Sequence, residues 1–354
     1  MSFYKGRNVL ITGHTGFKGS WLSTWLLQLG ARITGFSLPP GEGERCLFEI
    51  MGMEREAHSI YGDVRDPEIL AEAFRKERPE MVFHLAAQSL VRRSYREPLE
   101  TYATNVLGTA HVLEAARNTP SVGAVVAVTS DKCYQNREWL WGYRENDPLG
   151  GRDPYSSSKA CAELVTEAYR ESFFSGGSAA RIGSCRSGNV IGGGDWCEDR
   201  LIPDIVRALA AEAPVVLRNP DSIRPWQHVL DPLNGYLMLG EKLLENSGDY
   251  TGAWNFGPAD RDNRTVREMA EMFVAVWGRG SLEVSRDRKP LHEARLLKLD
   301  CSKSHSRLGW KPVLDVGEAI AMTVDWYRAY HEQPACAAEK TEQQIADYCA
   351  RLTP

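Results

Sequence analysis

The sequence predicts an α/β fold, a doubly wound parallel sheet followed by a smaller, mostly helical unit, and two observations carry that expectation. Short apolar runs alternate with longer amphipathic segments through the first half of the chain, the pattern of β-α-β units whose strands lie parallel. After about residue 190 the alternation gives way to Gly- and Pro-marked loops around separate helical stretches, as expected of a subdomain that covers a binding cleft. With 354 residues the chain is long enough for one large α/β domain or two coupled ones.

In chain order, strands are expected at 8–12 (NVLIT), 31–37 (ARITGFS), 57–63 (AHSIYGD), 81–87 (MVFHLAA), 124–130 (AVVAVTS) and 180–190 (ARIGSCRSGNV). Helices are expected between them at Phe17–Leu29, Pro67–Lys76, Leu99–Arg117 and Ser156–Phe174, where apolar residues recur every three or four positions. Gly30 would close the first of these as a C-cap. Further on, IGGGDW and RNPDSIRPWQH read as loops around a helix near 203–212. A helix at 232–245 and a strand at 253–257 would rejoin the first unit, and helices near 265–277 and 315–330 would complete the second. The expected dinucleotide-binding domain is therefore 1–188 with 229–258, and the expected substrate domain is 189–228 with 259–354.

Composition removes several function classes. Lys+Arg 42 against Asp+Glu 47 leaves a net charge of −5, so no global field gathers nucleic acid or an anionic membrane, and a phosphate-bearing ligand needs a local site. The eight cysteines, at 46, 133, 161, 185, 197, 301, 336 and 349, form no C-x-x-C pair, which suits neither a zinc site nor a disulfide framework. A reducing, cytoplasmic compartment and no metal are the expectation. The opening MSFYKGRNVLITG enters a strand pattern at once, and no later stretch has the length of a membrane span.

The first strand runs into GHTGFKG. In such a turn Gly13 allows the tight reversal, Gly16 lets the backbone approach a pyrophosphate, and Gly19 permits close helix packing, with Thr15 and Phe17 in the same loop and the helix N-terminus facing the anion. A plain β-α turn is the alternative; the position after the first strand and before a helix favours dinucleotide binding. The second strand ends at Ser37, where an acidic residue usually holds the adenosine ribose, so both NAD and NADP remain open on these residues. Asp63, followed by Val64, stands where an adenine amino group would be held and equally reads as a solvated turn residue. The small residues of HLAAQS, with Leu85, Ala86 and Ala87, would let the backbone lie against a cofactor, and Asn105 is placed on the same side.

Tyr155 and Lys159 in YSSSK lie four residues apart at a helix start and share one face. A free tyrosine has a pKa of about 10; a nearby ammonium and the charge of an oxidised nicotinamide favour the phenolate and suit it to act as a base. The fifth strand ends in Ser130, Asp131 and Lys132, a hydroxyl, a carboxylate and an ammonium in a row. These three read either as a polar turn or as the working end of an enzyme.

GHTGFKG, VTSDKCY, YSSSK, GNVIGGGDW and DRLIPD together resemble the extended short-chain dehydrogenase/reductase family, over nearly the whole chain from Val9 to LGWKP near 308. The Ser-Asp-Lys run and GGGDW make it most similar to the nucleotide-sugar 4,6-dehydratase group. The resemblance implies a Rossmann-type fold, NAD as cofactor, CDP-glucose as substrate, a homodimer through the 99–117 and 156–174 helices, and a place in deoxysugar and lipopolysaccharide biosynthesis. It implies oxidation at carbon 4 of the sugar by Tyr155 with Lys159 and Ser130, protonation of the departing carbon 6 hydroxyl by Asp131, and removal of the carbon 5 proton by Lys132. dTDP-glucose and GDP-mannose dehydratases carry Glu where Lys132 stands. Substrate contacts are implied for Gln88, Ser130, Asn189, Arg200, Arg224, His228, Arg288 and His292, with Arg295 nearby and with Trp196 and Trp226 as stacking groups or core packers.

Two rival readings share these residues. A nucleotide-sugar 4-epimerase would use the same cofactor, Tyr155 and Lys159, but has no need of an acid and a base at 131 and 132. A dinucleotide-binding protein without turnover would gain nothing from the Ser-Tyr-Lys set.

Overall fold

The computed structural model describes residues 3–41, 45–175, 180–245, 250–285 and 294–352. Its strands are β1 (Asn8–Thr12), β2 (Arg32–Ser37), β3 (His58–Tyr61), β4 (Met81–His84), β5 (Ala124–Val128), β6 (Arg181–Ser187), β7 (Asn189–Ile191), β8 (Val215–Leu217), β9 (Ile223–His228), β10 (Gly252–Phe256), β11 (Asn263–Thr265) and β12 (Leu282–Val284). Its helices are α1 (Phe17–Gln28), α2 (Leu47–Ile50), α3 (Met53–Glu56), α4 (Pro67–Glu77), α5 (Val91–Arg96), α6 (Pro98–Tyr102), α7 (Gly108–Arg117), α8 (Pro154–Phe173), α9 (Leu201–Ala210), α10 (Leu230–Leu244), α11 (Val266–Trp277), α12 (Val316–Glu332) and α13 (Cys336–Leu352).

Seven strands form the predicted parallel sheet, in the order β10-β6-β5-β4-β1-β2-β3. The central β4 and β5 are buried at every position, because helices cover both faces and leave no strand side to water. The strand order reverses between β1 and β4, and the crevice at their C-terminal ends is where such sheets bind ligands. α10 and β10 return the chain to this sheet after residue 228, with β10 pairing β6 from Gly252 opposite Gly183 to Phe256 opposite Ser187.

The expected continuous strand at 180–190 is broken at Gly188. A side chain there would meet the Pro225 ring, with a Cβ only 2.4 Å from Pro225 Cγ. β6 therefore stops at Ser187, and β7 resumes in a second, three-stranded sheet of order β11-β9-β7. The segment read as a loop, RNPDSIRPWQH, contains the middle strand of that sheet. Its Pro225 is accommodated because β7 pairs only from Trp226 onward, leaving the proline beyond the end of the parallel ladder.

The helix expected at Leu99–Arg117 forms, interrupted by a turn of π-helix at Ala103–Leu107. The extra residue in that turn brings Asn105 into the interior, where it is 1% exposed. The C-terminal α13, unforeseen in the sequence, packs on α1 and α12 through Ala337, Thr341, Ile345 and Tyr348.

Candidate active site

The glycine turn closes the crevice between β1 and β4. Gly13 adopts φ +79, and a Cβ on it would lie 2.7 Å from the Ala86 backbone nitrogen, so only glycine lets this turn abut the loop after β4. A Cβ on Gly19 would fall 2.1 Å from the Gly13 carbonyl oxygen. α1 starts at Phe17 with Gly16 as N-cap, without a side-chain cap and without an acidic residue in its first turn. Its leading N–H groups therefore face the crevice uncompensated, which suits a pyrophosphate. Thr15 Oγ1 lies 2.8 Å from Ser37 Oγ and donates to the Leu38 carbonyl, tying the turn to the end of β2. The residues present thus fit a dinucleotide.

The flanking cofactor residues divide into two kinds. The Leu85 and Ala86 amides bond the backbone and side chain of Thr12, holding the loop that continues through Ala87 beside the glycine turn. Val64 is buried against Gly108. Asp63 is engaged by the Arg65 guanidinium and amide, so its carboxylate acts first within its own turn. Asn105 is also committed: its Oδ1 accepts from the Gln88 amide at 2.8 Å, and its Nδ2 donates to the Gln88 carbonyl and Ser158 Oγ. It ties the loop after β4 to α8.

The end of β5 turns at once into a 3-10 turn over Asp131–Cys133, with the Ser130 hydroxyl accepting from the Lys132 amide. α8 begins alongside. Asp153 caps it through the Ser156 amide at 2.9 Å and Pro154 occupies its first position, fixing the helix start that carries Tyr155. Ser130 donates to Asp131 Oδ1 at 3.0 Å, and Lys132 Nζ sits 5.7 Å from the Tyr155 ring centroid. Ser130, Asp131, Lys132 and Tyr155 thus converge on one place, and Lys159 follows Tyr155 one turn on along α8, its charge reaching Lys18 and His84.

Burial sets the electrostatics of these groups. It raises the Asp131 carboxyl above the usual carboxylate range against the pull of Lys132, Ser130, Arg224 and Lys18, and Asp131 Oδ2 has no hydrogen-bond partner. Burial pushes Tyr155 up to about 12 despite Ser130 and Arg200, and lowers Lys159 to about 8 against the opposing charge of Glu163. Without a cofactor's positive charge, desolvation outweighs the cations around the tyrosine.

A cleft of about 510 Å³ opens beside these groups, lined by Lys132, Asp153, Ser156 and Arg224 among others. Arg224 is buried, donates to the Ile223 carbonyl, and its charge reaches Asp131. Arg200 pairs with Asp195 at 2.9 Å and donates to Ser89 Oγ at 2.8 Å, joining the segment after β7 to the loop after β4. Gln88 is buried against Leu90 and Thr101, and Asn189 is half-buried on β7 opposite Trp226.

His228 is not in the cleft: it is fully buried, edge-on to Trp21 at 5.9 Å, and burial lowers it to about 3. Trp226 donates to the Arg264 carbonyl on the neighbouring β11, and Trp196 packs on Trp326, Tyr327 and Tyr330, so both are core packers. Arg288 and His292 lie outside the described residues. Among the described residues no cluster of His, Cys, Asp or Glu could hold a metal ion.

Two residues of the glycine turn escaped the sequence reading. His14 packs over Gly35, shares a hydrogen bond with Ser59 Oγ at 3.0 Å, and burial lowers it to about 4, leaving it neutral. Lys18 donates to Ser187 Oγ at 3.1 Å and is lowered to about 8 by burial and by Arg200 and Lys159. A lysine inside the otherwise apolar start of α1 was the available signal.

The profile of the GDP-mannose 4,6 dehydratase family matches residues 10–323. The chain is 47% identical to a CDP-glucose 4,6-dehydratase of Salmonella typhimurium over 99% of both chains. It is 30% identical to a dTDP-glucose 4,6-dehydratase of Streptomyces antibioticus, over 91% of this chain and 92% of the relative. Among solved structures, a dTDP-glucose 4,6-dehydratase of Streptomyces venezuelae with NAD bound superposes with a TM-score of 0.80 at 27% identity, covering 93% of this chain and 99% of that one.

Proposed function

The chain belongs to the GDP-mannose 4,6-dehydratase family within the short-chain dehydrogenase/reductases, and from that premise we propose that it converts CDP-glucose to CDP-4-keto-6-deoxyglucose and water. It is an NAD-dependent hydro-lyase. The convergence of Asp131 and Lys132 with Ser130 and Tyr155 carries the reading, and the 47% identity to a CDP-glucose 4,6-dehydratase supports the choice of sugar nucleotide.

NAD bound over the glycine turn supplies the hydride acceptor for carbon 4 and the donor for carbon 6. Ser130 and Tyr155 hold the carbon 4 hydroxyl, and Tyr155 takes its proton as the ketone forms. The ketone acidifies the carbon 5 hydrogen, which Lys132 removes, and Lys132, after exchange with solvent, returns a proton to carbon 5 as carbon 6 receives the hydride. Asp131, whose carboxyl burial raises above the usual carboxylate range, gives its proton to the departing carbon 6 hydroxyl. Arg224 and Arg200 supply charge-assisted donors for the nucleotide diphosphate.

An epimerase would leave the acid and base at 131 and 132 idle. The buried Asp131 with its unpartnered oxygen favours the dehydratase. The eight free cysteines support a reducing, cytoplasmic setting, and among the described residues no helix is long and apolar enough to cross a membrane. Leu99, Leu107 and Leu164 stand exposed on the helices around 98–107 and 154–173, which supports a homodimer built on those helices. A role in deoxysugar synthesis follows from the proposed product, and the family resemblance is what points that sugar toward lipopolysaccharide.

The test is mass spectrometry of CDP-glucose, dTDP-glucose, UDP-glucose and GDP-mannose incubated in deuterated water with the protein and NAD. Loss of one water from the cytidine sugar, with deuterium at carbon 5, is the expected result. An unchanged mass with inverted carbon 4 would mean an epimerase instead.

A further inference from the structure

Behind the catalytic turn lies an ion pair that the proposed chemistry does not use. Glu163 and Arg186 are 3% exposed each, and Arg186 Nη2 donates to Glu163 Oε2 at 2.7 Å. Glu163 also accepts from the Thr129 hydroxyl through Oε1 and from Ser184 Oγ at 2.8 Å through Oε2. Arg186 Nη1 donates to the Tyr134 hydroxyl at 2.9 Å and to the Glu145 carbonyl. Tyr134 in turn donates to Asn255 Oδ1 at 2.7 Å.

The two outer partners define what this pair holds. Thr129 immediately precedes Ser130, and Tyr134 immediately follows Cys133. Glu163 grips one end of the turn that carries Ser130, Asp131 and Lys132, and Arg186 grips the other. Glu163 also lies four residues after Lys159 on α8, itself four after Tyr155, so all three share one helix face.

We propose that the Glu163–Arg186 pair is a positioning clamp for the water-loss chemistry, holding both ends of the 130–133 turn and presenting a fixed negative charge to Lys159. This rests on the dehydratase reading for its activity readout. A buried ion pair gains little stability over apolar side chains of similar volume, whereas a 1 Å displacement of catalytic groups costs about 10²-fold in rate. Lys159 faces Glu163 on its own helix, Cys133 in the turn, His84 on β4 and Lys18 on α1. Burial keeps the Cys133 thiol and His84 neutral, so Glu163 alone of these opposes the desolvation that pushes Lys159 toward its uncharged form.

The experiment pairs amide hydrogen exchange with steady-state kinetics of the NAD-loaded protein. E163Q/R186M removes both charges without leaving one buried alone, and T129V removes one grip while keeping the ion pair. The expected result is exchange across residues 131–134 faster by about tenfold or more in the double variant. Its kcat on CDP-glucose should fall about 10–100-fold with KM within about twofold, and the alkaline limb of its pH profile should move to lower pH. T129V should show smaller changes of the same sign in exchange and kcat. Wild-type exchange in both variants overturns the clamp, as does faster exchange with an unchanged kcat. If the unmodified protein leaves CDP-glucose intact, the dehydratase reading fails, and the exchange rates still decide whether the pair holds the turn.

Discussion

Lys132 Nζ lies 5.7 Å from the centroid of the Tyr155 ring, although 22 positions of chain separate them. That separation is short enough for the proposed base for carbon 5 and the proposed base for the carbon 4 hydroxyl to serve neighbouring atoms of one sugar ring. Lys132→Ala should leave carbon 4 oxidation within about tenfold of wild type and slow carbon 5 exchange by about 10²-fold or more. Solvent deuterium entering carbon 5 at the wild-type rate would remove Lys132 from that role.

Asp131→Asn keeps an oxygen that can accept from Ser130 but cannot donate an acidic proton. Water loss should slow by about 10²–10⁴-fold, and oxidation much less. Rapid-quench measurement of the keto sugar against the final product separates the steps, and equal slowing of both would recast Asp131 as a residue that positions the substrate.

Burial pushes Tyr155 up to about 12. A positive nicotinamide beside it stabilises the phenolate, so its titration should move down when oxidised NAD is added. Difference ultraviolet titration with and without NAD, with Tyr155→Phe as the blank, reads this directly. A titration that stays in place on NAD binding would contradict the assignment.

Asp231, fully buried at the start of α10, accepts through Oδ1 from the Val313 amide and the Tyr348 hydroxyl, each at 2.8 Å, while Oδ2 has no partner. Burial raises its carboxyl from 3.8 to about 6. The folded state then binds the proton more tightly than the unfolded chain, so this contribution to stability is complete below about pH 3.8 and is lost as pH rises through about 6. Asp231→Asn removes the titration. Relative to wild type it should be more stable at pH 8 than at pH 5, by about 1.4 kcal/mol, because only the last unit of the shift lies between those pH values. Urea midpoints at the two pH values measure this, and an equal difference at both would refute it.

Leu99 is 84% exposed, and Leu107 and Leu164 stand out on the same group of helices. If a second copy covers them, Leu99→Arg with Leu107→Glu should convert the dimer to monomers in sedimentation velocity while the circular dichroism spectrum stays unchanged. An unaltered sedimentation coefficient would place the interface elsewhere.

The parallel sheet was legible because its strands are short apolar runs punctuated by turn residues, and GHTGFKG and YSSSK sit where a strand or helix boundary gives them meaning. Four features were hidden. β9 contains two charged or amide side chains and a proline, and only its place between β7 and β11 makes it a strand. His228 looked like a ligand group because sequence does not report depth; the structure buries it against Trp21. α13 buries a narrow stripe of Ala, Thr, Ile and Tyr, a weak pattern among charged neighbours. The Glu163–Arg186 pair joins α8 to the next strand, β6, across 23 positions, and no local pattern announces such a contact.

The pairing of β10 with β6 has a consequence for how this protein is made. Residues 188–251 must leave the ribosome before Gly252–Phe256 can pair with Gly183–Ser187. At about 5–20 residues per second that is a wait of several seconds. Throughout it the nascent sheet ends at β6 with a row of open backbone donors and acceptors, the kind of edge on which neighbouring chains dock and aggregate. Slowed translation or truncation within 188–251 prolongs that exposure, so expression yield should depend on how quickly this stretch is synthesised.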